Sequence, residues 1–573
     1  NLGEKSKEFI SQHFQTSILP ILTPLAVDYG HPFPFISNLS KSLGISLLKP
    51  SSGEKIFSRV KIPDEIPQWV TVEEGKEGIT FIHLEEILLN NLNLLFPGTE
   101  ILDKMIFRVT RNIDLEEEDE WAEDLKEVIE EGLREKKFSP VIRLEVEKDS
   151  NEWISNYIST ELELSPDDIY EMGQIVHYTS FGEITKIDRP KLKYKSWTPR
   201  VHSDFVDEKS NIFNKIKGKD IIVHHPYESF NSSVERFIET AAYDSKVYAI
   251  KITLYRTTIN SKIIDSLIYA AQNGKQVACL VELKARFEEE KNIRLSEKLE
   301  NEGIHVIGGM VGLKTHTKMC MVVRQDLDKV TTYVHLGTGN YNPLTSKLYS
   351  DLSFFTCRQE VGEEVVQAFN YLTGLSLKKD YKNIMIAPIT MKRQFCELIY
   401  EEIKNKKRGK EGLIIAKMNA IEDVDIIEAL YMASINGVKI KLIVRGFCCL
   451  RPGVPGLSEN IEVISIIGRF LEHSRIYYFS GGQTDPSKGK FFIGSPDWMH
   501  RNLNVRVEVA VPLVTEESKS VAWKILNVNL NDKRSSWKMN QDGSYTQKVP
   551  EGEKEKLGSH AVLMSDSEEN NFS

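Results

Sequence analysis

Two stretches of this sequence are copies of one another. "IIDSLIYAAQNGKQVACLVELKARF" (263–287) recurs as "IIEALYMASINGVKIKLIVRGFCCL" (426–450), with Ile263 matching Ile426 and Gly274 matching Gly437, a common shift of 163. Repetition constrains the fold strongly, because each copy must form the same unit and bury its apolar face in the same way. Each copy reads as a helix stopped by Asn-Gly and followed by a strand. With "KVYAIKITLY" (246–255) as a strand ahead of it, the first copy is a βαβ unit, which calls for parallel pairing in an α/β domain. Two repeated α/β domains with mixed, largely parallel sheets are expected, over 203–383 and 384–540.

The remainder reads differently. Residues 1–202 form an α+β head, with "SKSLGISLL" (40–48) and "KMIFRVTRNIDL" (104–115) as strands. "EEEDEWAEDLKEVIEEGLREKKF" (116–138) reads as an acidic helix, its apolar residues recurring through Trp121, Leu125, Val128, Ile129 and Leu133. "DRPKLKYKSWTPR" (188–200) reads as a basic linker. The polar composition of 541–573 predicts a disordered tail. No run approaches the ~18 apolar residues that a membrane helix requires. The sequence opens on Asn1, so the natural start, with any targeting signal, is expected upstream. The six cysteines form no CxxC pair, which predicts reduced thiols in a cytoplasmic protein, with neither a zinc site nor a disulfide framework. The net charge of −10 excludes a surface basic throughout, such as a nucleic-acid coat, so an anionic ligand must be met by locally gathered cations.

Each copy is followed by a histidine. His316 lies in "GLKTHTKMCMVVR" (312–324) and His473 in "RFLEHSRIYYF" (469–479), and each has a basic residue two positions on, Lys318 or Arg475. A glycine turn follows each histidine 21 positions later, "GTGN" at 337 and "GSPD" at 494. A lone histidine is most often a satisfied structural residue. Two histidines sharing a basic partner and a glycine turn predict a site to which each domain contributes one. If 312–324 is one strand, Lys314, His316 and Lys318 share a face. A histidine among cations, beside a turn offering backbone N–H groups, suits phosphoryl transfer, with imidazole as nucleophile and the donors holding phosphate oxygens. The second histidine suits proton exchange with the leaving or entering oxygen. Arg256, Arg286, Arg445 and Arg451 fall near predicted strand ends, where open α/β sheets bind ligands, and predict a phosphate channel.

The repeat resembles the phospholipase D superfamily, whose HxK motif occurs in two halves. It departs from that pattern in having Val323 where lipid-hydrolysing members carry aspartate, and Arg475 in place of lysine. The sequence is more similar to the polyphosphate kinase family of the first, bacterial type. The similarity runs in order through "FRVTRN" (107–112), "HHPYESF" (224–230), "KITLYRT" (251–257), "VELKARFEEE" (281–290), "GLKTHTKM" (312–319), "HLGTGNYNPLTSKLYSD" (335–351), "VRGFCCLRPGVPGLSENI" (444–461), "FLEHSRI" (470–476) and "DWMHRNLNVRVE" (497–508). That resemblance implies reversible transfer of the ATP γ-phosphate to polyphosphate through a phosphohistidine. It places the phosphorylated residue at His316, the proton-transfer partner at His473, nucleotide-phosphate contacts at Tyr349 and Arg445, and the two positions associated with Mg²⁺ at Arg256 and Arg286. His335 falls where the family has a further histidine. Lys314, Lys318, Arg451, Arg475 and His473 complete the expected ATP and phosphate contacts. Guanidinium has no lone pair for a metal, so Arg256 and Arg286 are expected to hold phosphate oxygens, with Mg²⁺ carried by phosphates and water. The resemblance also implies ATP or ADP and polyphosphate as partners, a homo-oligomer (dimer or tetramer), and a cytoplasmic protein able to associate with a membrane peripherally. Family members have a leading helical domain before "LTPLAVDYGHPFPF"; the sequence is expected to start at about the second domain. Two alternatives stand beside this reading: a phospholipase D-like phosphodiesterase or phosphatidyltransferase, and a non-catalytic scaffold that binds polyanions.

Overall fold

The computed structural model describes residues 3–28, 30–50, 52–74, 78–112, 125–149, 151–173, 178–207, 209–310, 312–327, 329–374 and 380–569. The chain divides into two compact units, one of residues 1–118 and 130–195, the other of 119–129 and 196–573. Of the acidic helix expected over 116–138, the described part is Leu125–Lys136; Trp121 lies outside the described residues.

The first unit is built on a six-stranded sheet in the order Pro24–Val27, Lys55–Lys61, Lys41–Leu48, Glu100–Arg111, Val141–Glu147, Ile169–Met172. All neighbours are antiparallel except the last two, which are parallel. Its two apolar faces bury separate clusters, one around Leu43, Ile45 and Ile87, the other around Phe57, Phe107 and Ile154.

The second unit carries the repeat. In the first half, the strand Val247–Leu254 pairs in parallel with Gln276–Val281 across the helix Lys262–Gln272. In the second half, Leu413–Met418 pairs in parallel with Lys439–Val444 across the helix Val424–Ile435. Side-chain caps start both helices: Ser261 accepts from the Ile264 N–H and Asp423 from the Ile426 N–H. Both helices end before a glycine at φ +81°, Gly274 and Gly437, where a side chain would be strained. The sheets are mixed, with less parallel pairing than the βαβ units alone suggest. Met319–Gln325, Val330–Gly337 and Tyr349–Thr356 form an antiparallel meander, since no crossover helix separates them.

One apolar core serves both halves, running from Met319, Val334 and Phe354 to Ile443, Ile476, Ile493 and Val509. The halves also exchange strands. Lys314–Thr315, from the first half, pairs in parallel with Arg506–Leu513 at the edge of the second sheet. Leu471–Glu472, from the second half, pairs in parallel with Tyr349–Thr356 in the first. Each exchanged strand immediately precedes one of the two histidines.

The disordered tail expected over 541–573 is corrected by the structure as far as Glu569. Tyr545–Gln547 pairs with Ser536–Met539, and Ser559–Glu568 is a helix with Leu563 buried near Tyr227 and Phe470. Composition misled there because polar groups seat the helix: His560 and Ser567 are buried with hydrogen-bonded side chains, and the buried Ser559 is held through its N–H on Asp532. No helix among the described residues is long and apolar enough to cross a membrane.

Candidate active site

The strand carrying Lys314 stops at Thr315, and the next begins at Met319, so 312–324 is not one strand. His316 sits in the break, its N–H bonded to the Val507 carbonyl at 2.9 Å. Its Nδ1 lies 2.8 Å from Oε1 of Glu508, a fully buried residue of the other half. Tyr255 meets the ring edge-on at 5.1 Å between centroids. The His316 side chain keeps 12% exposure, enough to present one edge to a ligand. Burial first, then the charges of Lys318, Arg506 and Arg475, hold His316 well below the ordinary imidazole pKa. It is therefore neutral at pH 7. With Nδ1–H directed at Glu508, the lone pair lies on Nε2.

The second histidine repeats the arrangement in reverse. His473 Nδ1 lies 2.8 Å from Oδ1 of Asp351, which belongs to the first half. Thr338, in the glycine turn of that half, donates to the same carboxylate at 2.6 Å. Burial lowers the His473 pKa, against the opposing charge of Asp351. Tyr349 lies beside it, with ring centroids 5.4 Å apart. His473 follows His316 by 157 positions, and Glu508 follows Asp351 by the same number. Each half thus supplies the carboxylate that orients the other half's histidine.

The basic partners differ in detail. Lys318 is buried and donates to the His316 carbonyl; burial, then the Arg475 and Arg506 charges, push its pKa down to about 7 despite Glu508. Arg475 is clamped by Asp497 through Nε (3.2 Å) and Nη2 (3.1 Å), and its Nη1 lies 3.2 Å from His473 Nε2. The same Nη1 donates to the Thr338 carbonyl at 3.2 Å, so Arg475 reaches from the second half to the first half's glycine turn. Arg445 donates twice to Asn419 Oδ1, each at 3.1 Å, and its pKa is lowered by burial and then by the Arg475 charge.

Four expectations change. Lys314 and Lys318 are not carried on one strand: Lys314 pairs with the second sheet, its N–H on the Val505 carbonyl as that of His316 is on Val507, and it is half-buried, with Glu282 the charge bearing most on it. The glycine turns are not simple N–H cradles, because the Gly337 and Thr338 N–H groups bond to the Lys318 and Leu352 carbonyls. Glycine is needed there for space: a Cβ on Gly339 would fall on the Asp351 carboxylate, and one on Gly494 on the Val509 carbonyl. Arg451 is turned to another neighbourhood, its guanidinium packed on Gly543 in the hairpin that ends the second half. His335 is a core residue: it bonds Tyr341 Oη at 2.7 Å, and burial lowers its pKa to about 3. Arg256 and Arg286 do come together, the former donating to the latter's carbonyl at 3.3 Å.

Sequence reasoning missed Glu508 and Asp351 as site residues. The signal was present, since each carboxylate lies 35 positions after a histidine, 351 after 316 and 508 after 473. It also missed Arg506 and Asp497, whose charges act on both His316 and Lys318 or Arg475.

Two repeated α/β halves sharing one core, each contributing a histidine held by a carboxylate of the other, define a phospholipase D-like fold with a cationic two-histidine site. Family models describe the chain over most of its length: polyphosphate kinase middle domain at residues 5–184, C-terminal domain 1 at 211–378 and C-terminal domain 2 at 384–559. It is 44% identical to the polyphosphate kinase of Thermosynechococcus vestitus over 98% of this chain and 80% of that protein. It is 41% identical to that of Mycolicibacterium gilvum over 96% and 75%. The crystal structure of polyphosphate kinase from Porphyromonas gingivalis superposes with a TM-score of 0.85 at 28% identity, covering 100% of this chain and 84% of that one. The chain belongs to the polyphosphate kinase family. It is therefore a phosphotransferase acting on ATP and polyphosphate, which sets aside the diesterase and scaffold readings.

Proposed function

We propose that His316 Nε2 attacks the γ-phosphorus of ATP, forming a P–N bond as the P–O bond to the ADP oxygen breaks. The terminal oxygen of a polyphosphate chain then attacks that phosphorus, breaking P–N and lengthening the chain by one phosphate. The Nδ1–Glu508 bond carries this reading, because it leaves the Nε2 lone pair free and stabilises the positive ring as phosphate adds. Lys318, Arg475 and Arg445 hold the transferring oxygens. His473, kept in the same tautomer by Asp351, exchanges a proton with the leaving or entering oxygen and takes no covalent part. Tyr349, beside His473, contacts the nucleotide phosphates.

The donor set does not suit a protein-held metal. Arg256 and Arg286 offer no lone pair, and the described residues contain no group of three or more His, Cys, Asp or Glu able to hold one. Mg²⁺ accordingly enters as part of the nucleotide substrate, with the two arginines on phosphate oxygens. The six free cysteines suit a reducing, cytoplasmic setting.

Labelling with γ-labelled ATP tests the assignment. Wild-type protein should carry acid-labile, base-stable label on His316, and H316A should lose the label and both reaction directions. H473A should lose turnover by about 10²–10⁴-fold yet still accept label. Label mapping to His473 would sink the division of roles.

A further inference from the structure

The second half contains a buried charged cluster with no counterpart at the matching place among the described residues of the first, and the catalytic chemistry above does not use it. Glu472, the residue before His473, accepts from three sides. Lys417 Nζ lies 2.6 Å from Oε2, Ser350 Oγ donates to Oε2 at 2.7 Å, and His560 Nε2 lies 2.7 Å from Oε1. Lys417 also donates to Ser474 Oγ at 2.6 Å, so it grips the residues on both sides of His473. Ser350 lies between Tyr349 and Asp351 and takes the His473 N–H on its carbonyl at 3.2 Å. At the matching place in the first half stands Thr315, whose N–H bonds to Glu282, and Thr253 holds the Thr317 carbonyl where Lys417 holds Ser474. Nothing in the common fold, then, demands a buried ion cluster at this point.

His560 comes from the final helix, Ser559–Glu568, 88 residues from Glu472. Its tautomer is fixed: Nδ1 accepts from the Phe470 N–H at 3.3 Å, which leaves Nε2–H to donate to Glu472. Gly468 fits directly against the ring, where a Cβ would meet Nδ1 at 2.6 Å. The helix is anchored beyond His560 by Ser567, which donates to the Tyr227 carbonyl at 3.1 Å, and by an ion pair of Asp566 with Lys524 at 3.2 Å.

We infer that His560 is a positioning residue for catalysis: by donating to Glu472 it holds the segment 470–475, and with it the His473 imidazole, in the geometry required for proton exchange. The C-terminal helix is thereby part of the catalytic apparatus although it carries none of the groups placed on substrate above. The inference rests on the role given to His473 above.

The charged and titratable groups facing Glu472 are Lys417, His560, His224, Tyr227 and Arg445. Burial would raise the Glu472 pKa; Lys417 and His560 outweigh it and hold the carboxylate ionised. Removing His560 therefore shifts the protonation of Glu472 to higher pH.

Three variants test this: H560L removes the donor, H560N is too short to reach Glu472, and H560Q replaces the donor at the Nε2 position. H560L and H560N should lower kcat about tenfold, the size of one charge-assisted hydrogen bond. KM for ATP and polyphosphate should stay unchanged, and the acid limb of kcat should move to higher pH. H560Q should restore kcat and most of the acid limb. If H560L does not fold, the contrast of H560N with H560Q decides. Equal kcat and equal acid limbs across the folded variants would overturn the proposal, as would loss of folding in both H560L and H560N, which would assign His560 to stability alone. Turnover surviving in H473A defeats the role of His473 itself; turnover lost in H473A but untouched in H560L and H560N defeats only this inference.

Discussion

Replacing Glu508 by glutamine separates two duties of the carboxylate that faces His316. Glu508 Oε1 accepts from His316 Nδ1–H at 2.8 Å and from Asn502 Nδ2–H at 2.6 Å. Asn502 donates there through Nδ2, and while its amide keeps that orientation it holds a carbonyl oxygen in the Oε1 position of E508Q as well. The imidazole tautomer is then preserved while the negative charge is lost. A hydrogen bond to a charged group contributes about 1.5–3 kcal/mol, a neutral one about 0.5–1.5. The difference, about 1–1.5 kcal/mol, predicts a five- to tenfold slower phosphorylation of His316. E508A loses the whole interaction, which predicts about 10–100-fold plus the penalty of a ring free to adopt the wrong tautomer. The assay is the single-turnover rate at which acid-labile label from γ-labelled ATP appears on the protein. A loss beyond 10³-fold in E508Q would mean the amide had turned and donated to Nδ1, and the anchoring by Asn502 would be refuted. Equal rates for wild type and E508A would refute the orienting role altogether.

Three further outcomes are expected. G339A places a Cβ on the Asp351 carboxylate; displacing that group should release His473 and abolish turnover, with a stability loss of about 1–3 kcal/mol by thermal denaturation, and an active G339A enzyme would show that Asp351 is dispensable. Lys318 binds phosphate only when protonated and its pKa is pushed down to about 7, so kcat/KM should fall as pH rises through about 7; K318R, permanently charged, should lack that limb, and an unchanged limb in K318R would assign it to another group. Polyphosphate affinity should weaken steeply with added salt, since cations gathered locally in a chain of net charge −10 provide the attraction; salt-independent binding measured by titration would contradict this.

The sequence disclosed what repeats locally. The helices at 262–272 and 424–435, their Asn-Gly stops and the following strands were all legible, because each depends on neighbouring residues and on a period of 3.6 or 2. Both histidines and their basic partners were legible for the same reason: they recur at one spacing. What crosses from half to half was not. Glu508 touches His316 from 192 residues away, and Asp351 touches His473 from 122; in the sequence each is only one letter of a family motif. The separation of Lys314 from the strand after Lys318 was not legible, because the pairing of Lys314–Thr315 with a different sheet is a contact between halves. The final helix escaped notice because its seat is made by serines and a histidine, which a compositional reading counts as solvent-loving.

The crossed carboxylates have a consequence for how such a chain can change over generations. Contacts in which residue i of one copy meets j of the other, and j meets i, are those of an isologous interface between identical subunits. Were the halves separate copies of one polypeptide, every substitution would strike both sites at once. A nucleophile could not be improved without equally altering its proton-exchange partner. Joined in one chain, each copy is free to drift by itself, and the differences already present follow that line: Lys318 against Arg475, Glu508 against Asp351, Thr315 against Glu472. Covalent fusion is what allows two inherited histidines to take up unequal work.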